Sequence, residues 1–253
     1  MIANRTLVPA LLVSAGSFAG VAQAGEVVLN FNDLKHGEIL KSDRYADKGV
    51  TIHTENYHSK WDIGAGFDTN ERWTRDWDLQ SPFDHGNAKS EDFGTALIIQ
   101  ENIYWDWKNG VLKHPDDQAG SPAGYFKFDF DVPVSHFGMS VIDIDGKKEA
   151  KKGYILSVER GEQRVKVGFG DFVDPNSMWY DPTVKFGNNS ANHLPMLSAK
   201  DLGLDGIDRI KVVMGGSGAI DNVKFKAVPS PSAAIGGLGM LGLAAARRRR
   251  REA

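Results

Sequence analysis

Residues 125–130 read Tyr-Phe-Lys-Phe-Asp-Phe. In an extended chain this puts Phe126, Phe128 and Phe130 on one face and Tyr125, Lys127 and Asp129 on the other. Alternation of this kind predicts a strand with one side in a core and one side in water. The longer, more apolar run Val134–Ile144 predicts a second strand directly after it. Outward from this pair the same signals recur. Glu26–Phe31 alternates, Gly49–His53 is a short strand after a turn, and Ala96–Gln100 is a compact apolar run. Tyr154–Glu159 and Arg164–Phe169 flank the turn Arg160-Gly161-Glu162-Gln163. Arg209–Met214 and Ala219–Phe225 flank Gly215-Gly216-Ser217-Gly218, so a hairpin is predicted at each place. No long amphipathic helical pattern interrupts the series. The expected fold is all-β, a jelly-roll-like antiparallel β-sandwich spanning residues 25–227. Two stretches, 54–95 and 101–123, lack strand character, and connections of that length are usually functional.

The two ends have a different composition. Arg5 precedes a mostly apolar run from Leu7 to Phe18, and Ala22-Gln23-Ala24 then gives a small-residue exit. That order is the pattern of a secretory signal peptide over residues 1–24, with signal peptidase as the expected partner at Ala22 and Ala24. At the other end Val228-Pro229-Ser230-Pro231 leads into apolar residues 233–246 and then Arg247–Arg251. Fourteen residues of helix reach about 21 Å, short of a hydrocarbon core of about 30 Å. A marginal span backed by five arginines suits a transient stop, with the arginines on the cytoplasmic side. Setting aside Arg5, Arg247–Arg251 and Glu252 leaves 24 basic and 32 acidic residues in the body. An acidic body disfavours nucleic acid, which needs clustered Lys and Arg. With no cysteine, thiol chemistry and Cys-ligated zinc are excluded.

The order of Pro motif, short apolar helix and Arg cluster over 228–253 resembles the PEP-CTERM sorting tail, with Ser230 standing where the usual Val-Pro-Glu-Pro motif has Glu. The resemblance implies an exosortase-like transpeptidase acting near Pro229 and Pro231. It also implies transient membrane anchoring through the tail, delivery to the cell surface or extracellular matrix, and exopolysaccharide as a partner. The body resembles an ectodomain found upstream of such tails, through Phe31-Asn32-Asp33-Leu34, Asp76-Trp77-Asp78-Leu79, Pro115-Asp116-Asp117, Val141-Ile142-Asp143-Ile144-Asp145 and other short matches. Ile220-Asp221-Asn222-Val223 is similar to the last strand of jelly-roll carbohydrate-binding modules, where an Asp helps hold a structural calcium.

Three sets of side chains carry possible chemistry. Asp76, Asp78, Glu101, Asp116, Asp117, Asp143, Asp145 and Asp221 fall at strand ends or in loops. Calcium takes six to eight oxygen ligands without a fixed spacing, so calcium is the expected cofactor. Two ligand groups are open: Asp221 with Asn32 or Asp33, and Asp76, Asp78, Asp116 and Asp117 from the two insertions. Trp73, Trp77, Trp105 and Trp107 are the expected glycan contacts, the alternative being that they pack the loops onto the sheet. No G-x-S-x-G, H-E-x-x-H or P-loop pattern is present, and no catalytic residue is assigned. The expectation is therefore a non-catalytic, calcium-stabilised surface protein that contacts glycans. A secreted glycan hydrolase using paired carboxylates is the alternative.

Overall fold

A computed structural model describes residues 25–228, apart from Arg75, residues 147–149 and Lys152. The expected signal peptide, sorting tail, and processing positions Ala22, Ala24, Pro229 and Pro231 lie outside the described residues. Among the described residues no helix is long and apolar enough to cross a membrane.

The body is all-β, as its alternation predicts. The strands are β1 (Glu26–Leu29), β2 (Val50–Asn56), β3 (Gly64–Asp68), β4 (Thr95–Ile99), β5 (Trp105–Asp106), β6 (Val111–Leu112), β7 (Gly124–Ile142), β8 (Ile155–Arg160), β9 (Gln163–Gly168), β10 (Ala191–His193), β11 (Leu197–Ser198), β12 (Ile207–Met214) and β13 (Ala219–Ala227). Eleven of them form one large antiparallel sheet with the central order β3-β4-β13-β7-β12-β8-β9. β5 and β6 make a separate hairpin inside the second insertion.

The two strands expected at 125–130 and 134–144 are a single strand of 19 residues, β7. Its first half, Gly124–Phe130, pairs with β2 on one side and β12 on the other. Its second half pairs with β13 on one side and with β10 and β11 on the other. Straight, such a strand would extend about 60 Å. Yet Met214 pairs with its first residue, Gly124, and Ala219 pairs with its last, Ile142. The five steps between Met214 and Ala219 reach at most about 18 Å. β7 therefore doubles back, and Phe128 meets Phe137 at 5.7 Å between ring centres. The break falls at Asp131-Val132-Pro133, where Pro133 cannot donate to the ladder and the register slips.

This geometry corrects one expectation. Gly215–Gly218 does not close a hairpin, because β7 lies between β12 and β13. The turn instead carries the chain from one half of β7 to the other. The β8–β9 hairpin forms as expected, with Arg160 opposite Gln163.

Phe126, Phe128, Phe137, Val141, Ile210, Val212, Ile220 and Phe225 belong to the main core. Burying each large side chain contributes about 1.5–3 kcal/mol. The opposite face of the β2-β7-β12-β8 region is a charge ladder. Lys127 lies 3.1 Å from Asp129, Arg209 pairs with Asp129, and Arg164 lies 2.7 Å from Glu159. A second apolar cluster covers the other side of β3, β4 and β13. There Phe67, Ile98, Ile142 and Ala219 are capped by Leu79, Phe83, Ala88 and Phe93 from the first insertion. That insertion is thus packed onto the sheet, which fixes the position of Asp76 and Asp78 just before Leu79.

Candidate metal centre

Asp117 lies in the second insertion and is held there by backbone. It forms an antiparallel bridge with Gln100 just past β4. Its Oδ2 accepts from Ser217 Oγ at 2.9 Å and from the Gly218 amide, both in the turn between β12 and β13. The same turn is fastened from below by buried Tyr154, whose hydroxyl donates to the Ser217 carbonyl. Asp117 N in turn donates to Asp76 Oδ2 at 3.2 Å. Asp116 N donates to Gln100 Oε1 at 3.3 Å, which ties this segment to the end of β4.

As a result Asp76, Asp116 and Asp117 each present a carboxylate oxygen, and these oxygens lie within 4.8 Å of one another. Asp76 and Asp117 are buried. A fourth acid joins from the end of β7. Asp143, with φ 58°, accepts the Asn189 amide on Oδ1 at 2.7 Å and faces Ser217 Oγ at 3.1 Å through Oδ2. Ser217 has a single hydroxyl proton, so it serves Asp117 or Asp143 but not both. Asp78 and Asp145 add their charges from the margin.

The electrostatics follow from this crowding. Burial, followed by the charges of Asp116, Asp78 and Asp143, pushes Asp76 up to about 7. Burial and then the Asp76 charge push Asp117 well above the carboxylate range. Burial, with Asp78 and Asp145, takes Asp143 to about 6. The largest charges acting on these three groups are all carboxylates. Like charges held this closely in a poorly solvated place need protons or a cation. The donor set is all oxygen, with no nitrogen or sulfur, which fits a hard ion such as calcium and not zinc or copper.

Asp221 is separate from this group. It sits on β13 opposite Ser140 of β7, wholly buried, and neither carboxylate oxygen has a hydrogen-bond partner among the described residues. Burial pushes it up to about 8, and the nearby Asn222 amide and the Lys224 charge offset this only in part. The residues expected beside it are occupied elsewhere. Asn32 Oδ1 accepts from the Thr95 amide at 2.7 Å, while Asp33 accepts from Arg44 Nε at 2.9 Å and from Tyr45 at 2.6 Å.

The four tryptophans do not share one environment. Trp73, Trp77 and Trp107 are largely exposed, whereas Trp105 is half-buried against the second core and meets Trp107 edge-on at 6.2 Å. The sequence reading missed the contributions of Ser217 and Asn189, which meet the acids only through tertiary contacts. It also missed a relay in which Ser140 Oγ lies 2.7 Å from His193 Nδ1 and His193 Nε2 lies 2.7 Å from Glu91. Ser140 is wholly buried, so its hydroxyl has no open side. The relay ties Glu91 of the first insertion to β7 and β10. No family model matches the chain, and no curated protein matches it.

Proposed function

We propose that this chain is an exported, non-catalytic binding module of the cell surface, folded as a jelly-roll-like β-sandwich and stiffened by calcium. The observation that carries the reading is the convergence of Asp76 with Asp116 and Asp117, which lie about 40 residues on in the second insertion, on a space the size of one ion. Asp143 and the Ser217–Gly218 turn border that space, so an ion there would hold both insertions and the β12–β13 connection together. The buried carboxylate of Asp221, whose oxygens have no hydrogen-bond partner among the described residues, marks a second point where a cation would offset an unfavourable buried charge. The exported, surface-delivered part of the reading is supported by the order of segments at the two ends. Exposed aromatic side chains on the insertions support a glycan as the ligand.

The test is calcium titration of the chelated protein, followed by thermal unfolding and by calorimetry. A saturable rise in Tm that Asp117→Asn removes is the expected result. An unchanged Tm over the millimolar range, or a rise equally large in Asp117→Asn, contradicts the cation reading.

A further inference from the structure

Two depressions adjoin on the surface next to the acid group, and their unused side chains point to a ligand. The first, about 370 Å³, is lined by Trp77, Asp78, Gln80, Asp84 and Asn188 among others. The second, about 450 Å³, is lined by His85, Tyr180, Pro182, Lys185 and Phe186. They meet where Asp84-His85 on one wall faces Gly187-Asn188 on the other. The His85 ring lies so close to Gly187 that a Cβ there would come within 3.2 Å of it.

The walls are firmly built. His85 pairs with Ser190 in a parallel bridge, and Asp84 N donates to the Asn189 carbonyl at 3.0 Å. Buried Asn189 spans the floor, its Nδ2 donating to the carbonyls of Asp78 at 2.8 Å and Gln80 at 2.9 Å. Above this rigid base the polar and aromatic ends of Trp77, Asp84, His85, Tyr180, Lys185 and Asn188 make no hydrogen bond, ion pair or ring contact among the described residues. Trp77 is 75% exposed at one end, and Tyr180 is 40% exposed at the other.

We propose that this trough binds an uncharged oligosaccharide, with Trp77 and Tyr180 stacking on sugar rings and Asp84, Asn188 and Lys185 bonding their hydroxyls. Flat aromatic faces beside a few fixed donors and acceptors are what a ring with one apolar face and many hydroxyls requires. The charges also select against rivals. Asp78 and Asp84 balance Arg72 and Lys185, so there is no excess positive charge for a nucleic acid or an acidic glycan. The proposal rests on the reading of the chain as a binding module and places its ligand. It does not require the cation.

The experiment is titration calorimetry of the full chain with cellohexaose, hexa-N-acetylchitohexaose and hexagalacturonate, each in calcium and in EDTA. At least one of the two uncharged hexamers binds, and the acidic one does not. Trp77→Ala and Tyr180→Ala each weaken binding about tenfold, while Tm stays unchanged because both side chains are exposed. Asn188→Ala gives a third, structurally mild check. Binding in calcium that these variants weaken supports the proposal whether or not it persists in EDTA. Failure of both uncharged hexamers to bind overturns it, as does tighter binding of the galacturonate or binding that Trp77→Ala and Tyr180→Ala leave intact. If sugar binds without any calcium-dependent Tm shift, only the cation reading falls.

Discussion

The backbone amide of Asp117 donates to the carboxylate of Asp76 at 3.2 Å, across 41 residues of sequence. One insertion therefore holds the other through an acid that is itself crowded by acids. Asp117→Asn removes an ionisable ligand oxygen from this group while keeping its shape. In EDTA the variant unfolds near the wild-type temperature, because burial and the Asp76 charge already favour the neutral, protonated form of Asp117 there. In calcium it lacks the wild-type rise. A ligand at a hundred times its Kd adds about 2.7 kcal/mol, which for a body of this size is about 5–10 °C in Tm. Differential scanning calorimetry of both proteins in both buffers checks this.

Stability in EDTA should fall as pH rises from 5 to 8. Asp143, at about 6, and Asp76, at about 7, both lie above their ordinary value of 3.8, burial being the main cause. The folded state therefore holds protons that the unfolded state has already released. That contribution is complete below about 4 and disappears as pH passes through the folded values. Acids shifted the other way do not interfere in this window. At Asp33 and Asp129 burial acts upward, but Tyr45 with Arg44, and Arg209 with Lys127, hold the carboxyls below the ordinary range. Calcium, taking the place of the protons, flattens the profile. Tm against pH with and without calcium is the measurement, and a flat EDTA profile would falsify the assignment of these shifts.

Asp221 gives a second pH signature at higher values. With its carboxyl pushed up to about 8 by burial, it ionises between pH 7 and 9 where the Asn222 amide and the Lys224 charge compensate the buried charge only in part. In EDTA the wild type then loses about 1–3 kcal/mol relative to Asp221→Asn. Urea unfolding of the pair at pH 7 and pH 9 reads the difference. Equal losses in the two proteins would place the titrating group elsewhere.

Gly86 and Gly161 separate steric from conformational demands. Gly86 has φ +97°, and a Cβ there would lie 1.9 Å from the Ala191 carbonyl oxygen. Gly161, at φ +55° in the β8–β9 turn, has nothing within 4 Å of such an atom. Gly86→Ala is expected to destabilise by about 3 kcal/mol or more, whereas Gly161→Ala costs about 1–2 kcal/mol. Chemical denaturation of both variants tests the contrast. Similar losses at the two sites would contradict the close approach at Gly86.

The strand content was legible because alternation is a local property. Tyr125–Phe130 could be assigned to a half-buried strand from six residues alone. Their continuity with Val134–Ile142 could not, because Pro133 is a break signal in sequence and the slip in register appears only against β12 and β13. β3 escaped notice because two of its five residues are Gly and carry no apolar pattern. The 215–218 turn looked like a hairpin, since composition says where a chain turns and not which strand it pairs with next. The acid group was half legible. Asp76, Asp78, Asp116, Asp117 and Asp143 stood out as a composition, whereas Ser217, and the approach of Asp143 to the others, enter only because the doubled strand brings its end beside the turn. The trough walls, Asp84-His85 and Gly187-Asn188, lie about a hundred residues apart and are joined by one β-bridge, which leaves no trace in a linear pattern.

The position of β13 also sets an order of events during synthesis. β1, β4 and the second half of β7 all take β13 as a neighbour, and β13 comes after every other strand. A nascent chain growing from its N-terminus therefore carries three incomplete edges until Ala219–Ala227 emerges. Contacts this distant make nucleation slow and expose sticky borders meanwhile. The body is expected to fold by a late, near-simultaneous closure, and a chain stopped before residue 219 to aggregate instead of forming a smaller stable unit.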